Sequence, residues 1–518
     1  MPHKVREINA ILKKGKPGDV RVAVAYPSLY EVAVASLSYQ MIYYYVNSLD
    51  GFVCERFHLH KLQGIEPPAL SVERGSPLRD FELVLFSVHY EPDLVNILRL
   101  LRAGGVPLRA RDRGGKPLVV VGGPPIISNP EPLSAHMDVA ILGEIEPTLP
   151  FLLERYLEYR GDYKAFLEAL PPEKGFYTPP LGRPESVNVS YATTLRKEFH
   201  PIAQVQPLDR EPVWGRGTRV EVSRGCYRGC AFCLEGRIFN IYRERPLSDI
   251  VEIALKGSKL NATKRVVFVS LSFFDHSRAK EILDRLVSEG LKLSVPSLRA
   301  ETLDEESLEL ILAGGQRTLT IAPETASRRL AAVLRKSVPY DAVARVAAQA
   351  KKLGFKSIKL YFMIGLPGET QEDVRAIVEY VRRLSEASGF KGTREIKVSV
   401  SPLIPKPHTL LQCAAMDSLS SLKEKILIIK KGLGGVAEVR AYDPRWACVQ
   451  AVIARGGGEL GAVLEAWAEA GGGLGGWRRA VKLVGLNVGS YLGQLQLDRL
   501  PWSFIKLRAK PTILRNRI

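Results

Sequence analysis

The sequence predicts an α/β protein with an N-terminal doubly wound parallel sheet, a central partial (β/α)6 TIM-like barrel and a small, mainly helical C-terminal region. Short apolar runs alternate with helical patterns over about residues 20–160, and a second alternation of this kind follows residue 205. Glycine-rich segments around short amphipathic helices begin at about residue 431. We therefore predict domains at 1–205, 206–430 and 431–518.

Length and composition indicate a folded protein with more than one core. The chain has 518 residues, of which 46% are hydrophobic and 25% are charged. We find no signal sequence and no apolar stretch long enough for a membrane helix, so we expect a cytoplasmic protein without a membrane partner. Six cysteines, three of them in one loop, favour reduced thiols that serve as ligands over a secreted disulfide framework.

The formal net charge of +18 fits two interpretations. Lys and Arg neutralise phosphates in nucleic-acid complexes, which makes RNA a candidate partner. Scattered basic residues on a solvated surface, as in heat-adapted proteins, explain the charge equally well. Charge alone does not decide between them.

In the N-terminal region, buried strands with helices between them predict the doubly wound sheet. The predicted strands are VRVAVAYP, FELVLFSV, PLVVVGGPP and DVAILGE. Proline and glycine turns at the strand ends place loops on the edge where such sheets bind ligands, although they could be plain connections. A proline-rich linker or wrapping segment occupies residues 170–215.

Six further strand and helix units, at about 30 residues each, predict the partial barrel. The strands lie in TRVEVSRG, KRVVFVSLSF, LKLSVPSLRA, QRTLTIAPE, FKSIKLYFMIGLP and REIKVSVSPLIP. Active sites of such barrels form at the carboxyl ends of the strands. The segment EVSRGCYRGCAFCLEGR falls directly after the first of these strands.

This segment carries Cys226, Cys230 and Cys233 in the spacing C-x-x-x-C-x-x-C. Three thiolates on one loop can each bind a separate iron of a [4Fe–4S] cluster, which leaves the fourth iron open for another ligand. A structural zinc site needs a fourth ligand, and no nearby Cys or His pair supplies it. A redox pair and plain buried cysteines are the other interpretations.

The neighbours of these cysteines suit a cluster. Gly225 and Gly229 allow the backbone to approach the sulfurs, while Arg224 and Arg228 add positive charge that favours thiolates. The remaining cysteines are isolated, and we interpret each as a small buried hydrophobic residue: Cys54, Cys413 and Cys448.

The motif C226-x-x-x-C230-x-F232-C233, placed after the first strand of a six-unit barrel, resembles the radical S-adenosylmethionine (SAM) superfamily. IAPETASRRL and YFMIGLPGET resemble SAM-binding strand ends of the branch that contains Elongator and the methylthiotransferases. SPLIPKPHT resembles the corresponding end in members with a cobalamin-binding-like N-terminal domain. The resemblance extends over most of the chain through YPSLYEVAVASLSYQMIYYYVN, GGPPIISNPEPL, DVAILGEIEPTL and DPRWACVQAVIARG.

The resemblance implies an enzyme that reductively cleaves SAM at a [4Fe–4S] cluster and generates a 5'-deoxyadenosyl radical. It leaves the substrate open, with methyl transfer and RNA modification as candidate reactions. It also implies an electron donor such as a ferredoxin or flavodoxin. The alternative is a nucleic-acid-binding or assembly protein whose iron–sulfur cluster is structural or redox-sensing.

The resemblance also implies roles for residues at the strand ends. Phe232 would contact the adenine through its backbone, and Gly365 and Pro367 would let the chain pass close to it. The other SAM contacts would be Ser272 to the amino group, Arg299 and Arg328 to the carboxylate, and Glu324 to the ribose hydroxyls. Lys406 and His408 lie where the barrel faces its substrate, as contacts or acid–base groups, or as structural caps.

Two segments depart from the family pattern. VSLSFFD stands where radical SAM barrels commonly have a Gly-Gly-Glu run. AYPSLYEVA lacks the Asp and His of the cobalamin motif D-x-H-x-x-G, and His58 and His60 lie elsewhere. Cobalamin would therefore bind without that ligand, or the domain would position a substrate or partner. With Cys54 alone in this domain, the second cluster of a tRNA methylthiotransferase is not expected.

Overall fold

The computed structural model describes residues 5–508 and the backbone of 512–514; residues 1–4, 509–511 and 515–518 lie outside the described part. The chain divides into two compact units. The first unit runs to Arg216 and includes the segments that start at Val452 and Gln496, and the second runs from Gly217 to Ala451 and includes Leu492–Leu495. The predicted division at 205 and 430 stays a prediction.

The elements follow one another along the chain as follows. The strands are β1 (Glu7–Ile8), β2 (Val20–Leu29), β3 (Phe52–Leu59), β4 (Leu83–Ser87), β5 (Leu118–Gly122), β6 (Val139–Ile141), β7 (Phe176–Tyr177), β8 (Val187–Asn188), β9 (Gln206–Pro207), β10 (Thr218–Glu221), β11 (Ser223–Arg224), β12 (Ile241–Glu244), β13 (Arg265–Val269), β14 (Lys292–Ser294), β15 (Thr318–Glu324), β16 (Ser357–Ile364), β17 (Ile396–Pro402), β18 (Glu438–Ala441), β19 (Ile505–Lys506) and β20 (Thr512–Leu514). The helices are α1 (Tyr30–Ala33), α2 (Leu37–Ser48), α3 (Leu94–Ala103), α4 (Pro124–Ser128), α5 (Ile145–Glu158), α6 (Tyr163–Glu168), α7 (Glu235–Ile238), α8 (Leu247–Leu260), α9 (Ala279–Ser288), α10 (Glu305–Ala313), α11 (Arg328–Val333), α12 (Tyr340–Leu353), α13 (Gln371–Ser388), α14 (Gly392–Glu395), α15 (Leu419–Gly432), α16 (Pro444–Arg455), α17 (Leu460–Glu469), α18 (Gly473–Val484) and α19 (Gly489–Leu492).

The first unit is built on a six-stranded sheet in the order β3-β2-β4-β5-β6-β7. All neighbouring strands are parallel except β6 and β7. The order reverses at β2, because the chain first adds β3 on one side and then β4 on the other. This is the doubly wound arrangement that the sequence predicts, and its core is formed by strand side chains such as Val22, Val24 and Leu85.

Strand β3 was not among the predicted strands, because its sequence FVCERFHL contains adjacent charges. The structure buries both charged side chains in ion pairs. The Arg56 guanidinium binds Glu7 at 2.6 Å and Glu73 at 2.5 Å, and Glu55 accepts a hydrogen bond from Arg74 at 2.8 Å. Paired burial makes these residues compatible with a buried strand at the edge of the sheet.

The second unit contains the predicted barrel strands. Strands β10, β13 and β14 form one parallel sheet, and β15, β16, β17 and β18 form another. A parallel bridge between Leu298 and Ile321 connects the two sheets. The six predicted strands are confirmed as β10 and β13–β17, whereas β18 lies in the segment predicted to be mainly helical. Its four residues, two of them charged, follow a glycine-rich turn and give little strand signal.

The barrel strands have two different faces. In β15 and β17, fully buried side chains alternate with partly exposed ones. Helices cover the buried face, so the other set forms what we call the inner face of the barrel. Within the described part of the chain, every helix is too short or too polar to cross a lipid bilayer.

Candidate active site

The three-cysteine segment forms a loop at the carboxyl end of the first barrel strand. It leaves β10 through the short strand β11, which pairs with β12 after the loop, with Arg224 opposite Arg243. The pairing closes the loop at its base. Cys226, Cys230 and Cys233 are all half-buried and all free thiols.

Two glycines bring the backbone close to the sulfurs. Gly225 has a φ of +85°, and a Cβ at this position would lie 2.2 Å from the Ile241 carbonyl oxygen. Gly236 donates its N–H to the Cys233 Sγ at 3.4 Å, and a Cβ there would lie 3.5 Å from the same sulfur and 3.9 Å from the Cys226 Cβ. A side chain at Gly225 would therefore force the base of the loop apart, whereas Gly236 lies in van der Waals contact with the cysteines.

The thiols suit a polynuclear cluster better than a single metal ion. Within the described residues, no three His, Cys, Asp or Glu side chains converge closely enough to hold one ion. A [4Fe–4S] cube does not require that convergence, because each thiolate binds a different iron. Burial raises the pKa of the Cys233 thiol to about 12 and also raises that of Cys226, so thiolates here require a cationic partner.

Side chains of the loop bind to other strand ends. The Arg228 guanidinium forms a bidentate ion pair with the buried Asp275 carboxylate, which follows β13. The Ala231 N–H donates to the Leu334 carbonyl oxygen at 2.8 Å. Phe232 packs on an apolar cluster drawn from the ends of three further segments, namely Leu330, Leu334, Met363, Leu366 and Leu403. The loop is therefore fixed over the carboxyl ends of the barrel strands.

Two of the residues predicted to bind the amino and carboxylate groups of SAM, Ser272 and Arg299, follow β13 and β14. Ser272 is half-buried, and its N–H donates to the Ser270 Oγ at 3.1 Å. Arg299 precedes a short turn, and its Nε donates to the Glu301 carboxylate at 2.6 Å. Arg299 is thus held in place by an acidic neighbour only two residues away.

Glu324 ends β15 in a strained conformation, with a φ of +69°. Burial raises the pKa of its carboxyl, while the Lys336 ammonium at 2.8 Å and the charge of Arg299 oppose this rise. Lys336 is itself buried. The sequence analysis did not identify Lys336, because its partner lies twelve residues earlier and no motif joins them.

Arg328 is separated from this pair. It is exposed at the first position of α11, and among the described residues no hydrogen bond or ion pair joins its side chain to Glu324 or Arg299. The Ser327 Oγ caps the helix by accepting from the Leu330 N–H at 3.5 Å. The structure therefore brings Arg299 and Glu324 into one electrostatic neighbourhood but not Arg328.

Gly365 and Pro367 lie in the turn after β16. Gly365 has a φ of +74°, and its N–H donates to the Glu369 carboxylate at 2.6 Å. The Lys425 ammonium binds that carboxylate and Asp417, each at 2.7 Å. A Cβ at Gly365 would lie 2.9 Å from the Leu422 Cδ2, and this contact together with the positive φ favours glycine here.

Lys406 and His408 lie in the loop after β17, and both are half-buried. The His408 carbonyl oxygen accepts from the Arg237 Nε at 3.2 Å, and Arg237 belongs to α7, directly after the third cysteine. The His408 N–H donates to the Gln412 Oε1 at 2.8 Å. This loop is thereby joined to the cysteine loop.

Comparisons with known proteins agree with this geometry. The family model described as "Radical SAM proteins, N-terminal" matches residues 38–179, and that of the "Radical SAM superfamily" matches residues 220–381. An uncharacterized protein of Methanocaldococcus jannaschii is 29% identical and covers 86% of this chain and 90% of its own length. An uncharacterized methyltransferase of Pyrococcus horikoshii is 26% identical over 59% of this chain and 69% of its own length.

A solved structure shows the same fold. It is the radical S-adenosylmethionine methyltransferase TsrM from Kitasatospora setae, solved with cobalamin and a [4Fe–4S] cluster bound. The TM-score is 0.52 at 16% identity, over 76% of this chain and 74% of TsrM. At this identity the likeness establishes a shared architecture.

Proposed function

Because the chain belongs to the radical SAM superfamily, whose members are enzymes that use a [4Fe–4S] cluster and SAM, we propose that Cys226, Cys230 and Cys233 hold that cluster. The observation that carries this proposal is the fixed cysteine loop at the carboxyl ends of the barrel strands. Its two close glycines and its Arg228–Asp275 ion pair support it. When bound, the cluster supplies the electron that cleaves SAM to methionine and a 5'-deoxyadenosyl radical.

The chain's own residues bind and orient SAM in this proposal. The Arg299 guanidinium holds the carboxylate, Ser272 faces the amino group, and the Glu324 carboxylate accepts from the ribose hydroxyls. Lys336 opposes the rise that burial causes in the pKa of that carboxyl and orients it through a hydrogen bond. Phe232, Gly365 and Pro367 form the adenine side. Arg328 contributes only if its exposed side chain turns inward, and Lys406 and His408 face the substrate.

We assign the first unit to cofactor binding at the carboxyl edge of its sheet, where TsrM-like proteins suggest cobalamin. The His89 Nε2 lies 2.9 Å from the Ser38 Oγ, which lies 2.9 Å from the Ser87 Oγ. The His89 side chain is exposed at this edge, so its imidazole can form a hydrogen bond with a ligand. A Cβ at Gly123 would lie 1.9 Å from the Val88 carbonyl oxygen, so only glycine fits beside this edge. This edge therefore offers hydrogen-bonding side chains to a ligand.

A corrinoid titration tests the cofactor assignment. Full-length protein mixed with hydroxocobalamin and passed over a desalting column is expected to retain the corrinoid spectrum. The His89→Phe variant is expected to lose it, whereas Arg79→Phe, at an exposed residue that precedes β4 and so lies at the opposite edge, is expected to keep it. Equal retention by both variants would contradict the assignment.

Radical SAM enzymes need a reductant and a substrate, and we expect the same two requirements for this chain. A ferredoxin or flavodoxin is the proposed electron donor, in the cytoplasm that the sequence predicts. RNA remains the proposed macromolecular partner because of the +18 charge.

The experiment that tests the enzyme proposal is anaerobic cluster reconstitution, dithionite reduction and incubation with SAM. We expect 5'-deoxyadenosine and methionine in equal amounts. A spectroscopically intact cluster that leaves SAM uncleaved would overturn the proposal and favour a structural or redox-sensing cluster.

A further inference from the structure

The inner face of the barrel carries a cationic layer below the level of Glu324. In β16 and β17, Lys359 and Lys397 are direct neighbours in the parallel register. Like charges directly opposite each other destabilise a sheet. An anionic ligand bound between or above the two ammonium groups would offset this repulsion.

No carboxylate in the described residues neutralises these lysines. The Lys359 ammonium lies 4.7 Å from the centre of the Tyr361 ring, and neither lysine forms an ion pair there. Glu438 stands next to Lys397 in the register, but its carboxylate binds Arg440 at 2.6 Å.

The other two inner-face carboxylates also have cations of their own. Glu221 binds Arg224 at 2.7 Å, and Glu324 binds Lys336 at 2.8 Å. The inner face thus has positive charge in excess.

The cationic layer continues into a cavity between the two barrel sheets. The cavity has a volume of about 370 Å³. Its polar lining consists of Arg265, Lys292, Ser294, Gln316, Thr318 and Thr320. Thr320 is the register neighbour of Lys359, so the cavity and the lysine pair adjoin. The Arg265 guanidinium donates to the Ser294 Oγ at 3.3 Å, and the described residues that line the cavity include no carboxylate.

The upper part of the inner face is different. Val267 and Val269 alternate with buried residues on β13, and Val269 is 38% exposed at the strand end. Phe362, which pairs with Glu324, stands three residues above Lys359, so the two levels are separated by about 10 Å along the strand. An apolar wall therefore lies near the predicted SAM site, and the cationic layer lies about 10 Å below it.

We propose that Arg265, Lys292, Lys359 and Lys397 bind a phosphate group of the substrate, whose reacting carbon lies against the apolar upper wall. This rests on the proposed function, because it takes the SAM site as the place of reaction. Three lysines and one arginine suit a phosphate dianion or diphosphate, for which lysine acts as a point charge. The substrate class is a phosphate ester, either a small molecule or a nucleotide within RNA.

Calorimetric titration of the full-length, reconstituted protein with inorganic pyrophosphate at about 0.15 M salt tests the proposal, since this salt suppresses nonspecific attraction. The variant K359M/K397M removes the lysine pair. The matched control K352M/K431M removes two exposed lysines outside the inner face. We expect the control to bind like the unmodified protein and K359M/K397M to bind at least about tenfold more weakly.

Equal affinity of K359M/K397M and the control, or no binding by the unmodified protein, would overturn the proposal. Thermal unfolding distinguishes a specific loss of binding from misfolding. Because K359M/K397M removes the repulsion between the two lysines, its unfolding temperature should be no lower than that of the control.

Competition against bound pyrophosphate identifies the source of the phosphate. Displacement by adenosine monophosphate indicates a small-molecule substrate. Displacement by single-stranded RNA, but not by adenosine monophosphate, indicates a polynucleotide substrate. Because these readouts need no SAM cleavage, failure of the enzyme proposal and failure of this one are distinguishable.

Discussion

The parallel sheets of the two units differ in how they treat their two faces. In the first unit every residue of β4 is buried, because helices cover both faces of the sheet. In the second unit β15 alternates strictly between buried and partly exposed residues. The first sheet therefore offers polar side chains to a ligand only at its carboxyl edge, whereas the barrel offers a whole face.

The two units also differ in whether their buried or half-buried charged side chains are paired. In the first unit Arg56 is closed between Glu7 and Glu73, and Arg113 binds Asp138 at 2.8 Å with both side chains fully buried. In the barrel, Lys359 and Lys397 lie side by side without a carboxylate partner among the described residues. Closed pairs have no free charge to offer a ligand, and removing one partner leaves a costly buried charge, whereas open charges on a half-exposed face are available to a ligand.

The largest expected effect is on iron content, and it distinguishes the cysteines of the second unit from the cysteine of the first. Cys230→Ala removes one of three thiolate ligands, so we expect iron content to fall from about four per chain to near zero and 5'-deoxyadenosine formation to be lost. Cys54→Ala, in the buried core of the first unit, is the control and should retain the cluster. Iron and sulfide analysis after reconstitution checks both. A Cys230→Ala protein with a full cluster would break the comparison.

The next effect tests the closed pairs of the first unit. Arg56→Met leaves Glu7 and Glu73 buried without their cation, so we expect the free energy of unfolding to fall by about 3–5 kcal/mol. Arg79→Met, at an exposed pair, should change it by no more than about 0.5 kcal/mol. Urea denaturation followed by circular dichroism measures both. Equal effects of the two substitutions would show that the buried network does not stabilise the scaffold.

A smaller effect sharpens the role of the cysteine loop. Gly225→Ala places a Cβ 2.2 Å from a backbone carbonyl at a φ of +85°, so we expect a loss of about 2–5 kcal/mol and poor cluster retention. Gly229→Ala has a φ of +69° but open space around it, so about 1–2 kcal/mol is expected. Thermal unfolding of the reconstituted proteins and iron content measure the difference. A milder effect at Gly225 than at Gly229 would contradict the account of the loop.

The smallest effect concerns pH and the edge of the first sheet. Burial raises the pKa of Asp93 to about 7, so the folded protein keeps a proton that the unfolded chain releases near pH 4. Stability is therefore lost as pH rises from about 4 to about 7. Asp93→Asn removes this loss and should be more stable than the unmodified protein by about 1–2 kcal/mol at pH 8, with no difference near pH 4. Urea denaturation across this range checks the sign; a variant less stable at pH 8 would contradict it.

Much of the fold could be predicted because its signal is local. Buried runs such as FELVLFSV and the alternation in QRTLTIAPE are visible within a few residues, and both became strands. Strand β3 escaped prediction because Glu55 and Arg56 find their partners only after folding. Strand β18 is too short to produce a pattern.

The residues of the site that belong to a local motif could be predicted from the sequence. Their partners that lie far away in the sequence could not. The cysteine spacing identifies the ligands directly, but Asp275 and Lys336 bind Arg228 and Glu324 across stretches of chain that no motif joins. The lysine pair could have been found from the alternation in FKSIKLYFMI and REIKVSVSP, since Lys359 and Lys397 occupy inner-face positions there. Their direct opposition depends on the strand register, which only the structure supplies.

The measurement that tests the central claim most directly is low-temperature electron paramagnetic resonance of the reduced, reconstituted protein with and without SAM. Three cysteine ligands leave one iron of a [4Fe–4S] cluster open. We therefore predict that SAM shifts the g-values of the cluster signal and that Cys54→Ala preserves this shift. A cluster of four irons whose spectrum is identical with and without saturating SAM would contradict the assignment of the barrel as a SAM-binding site.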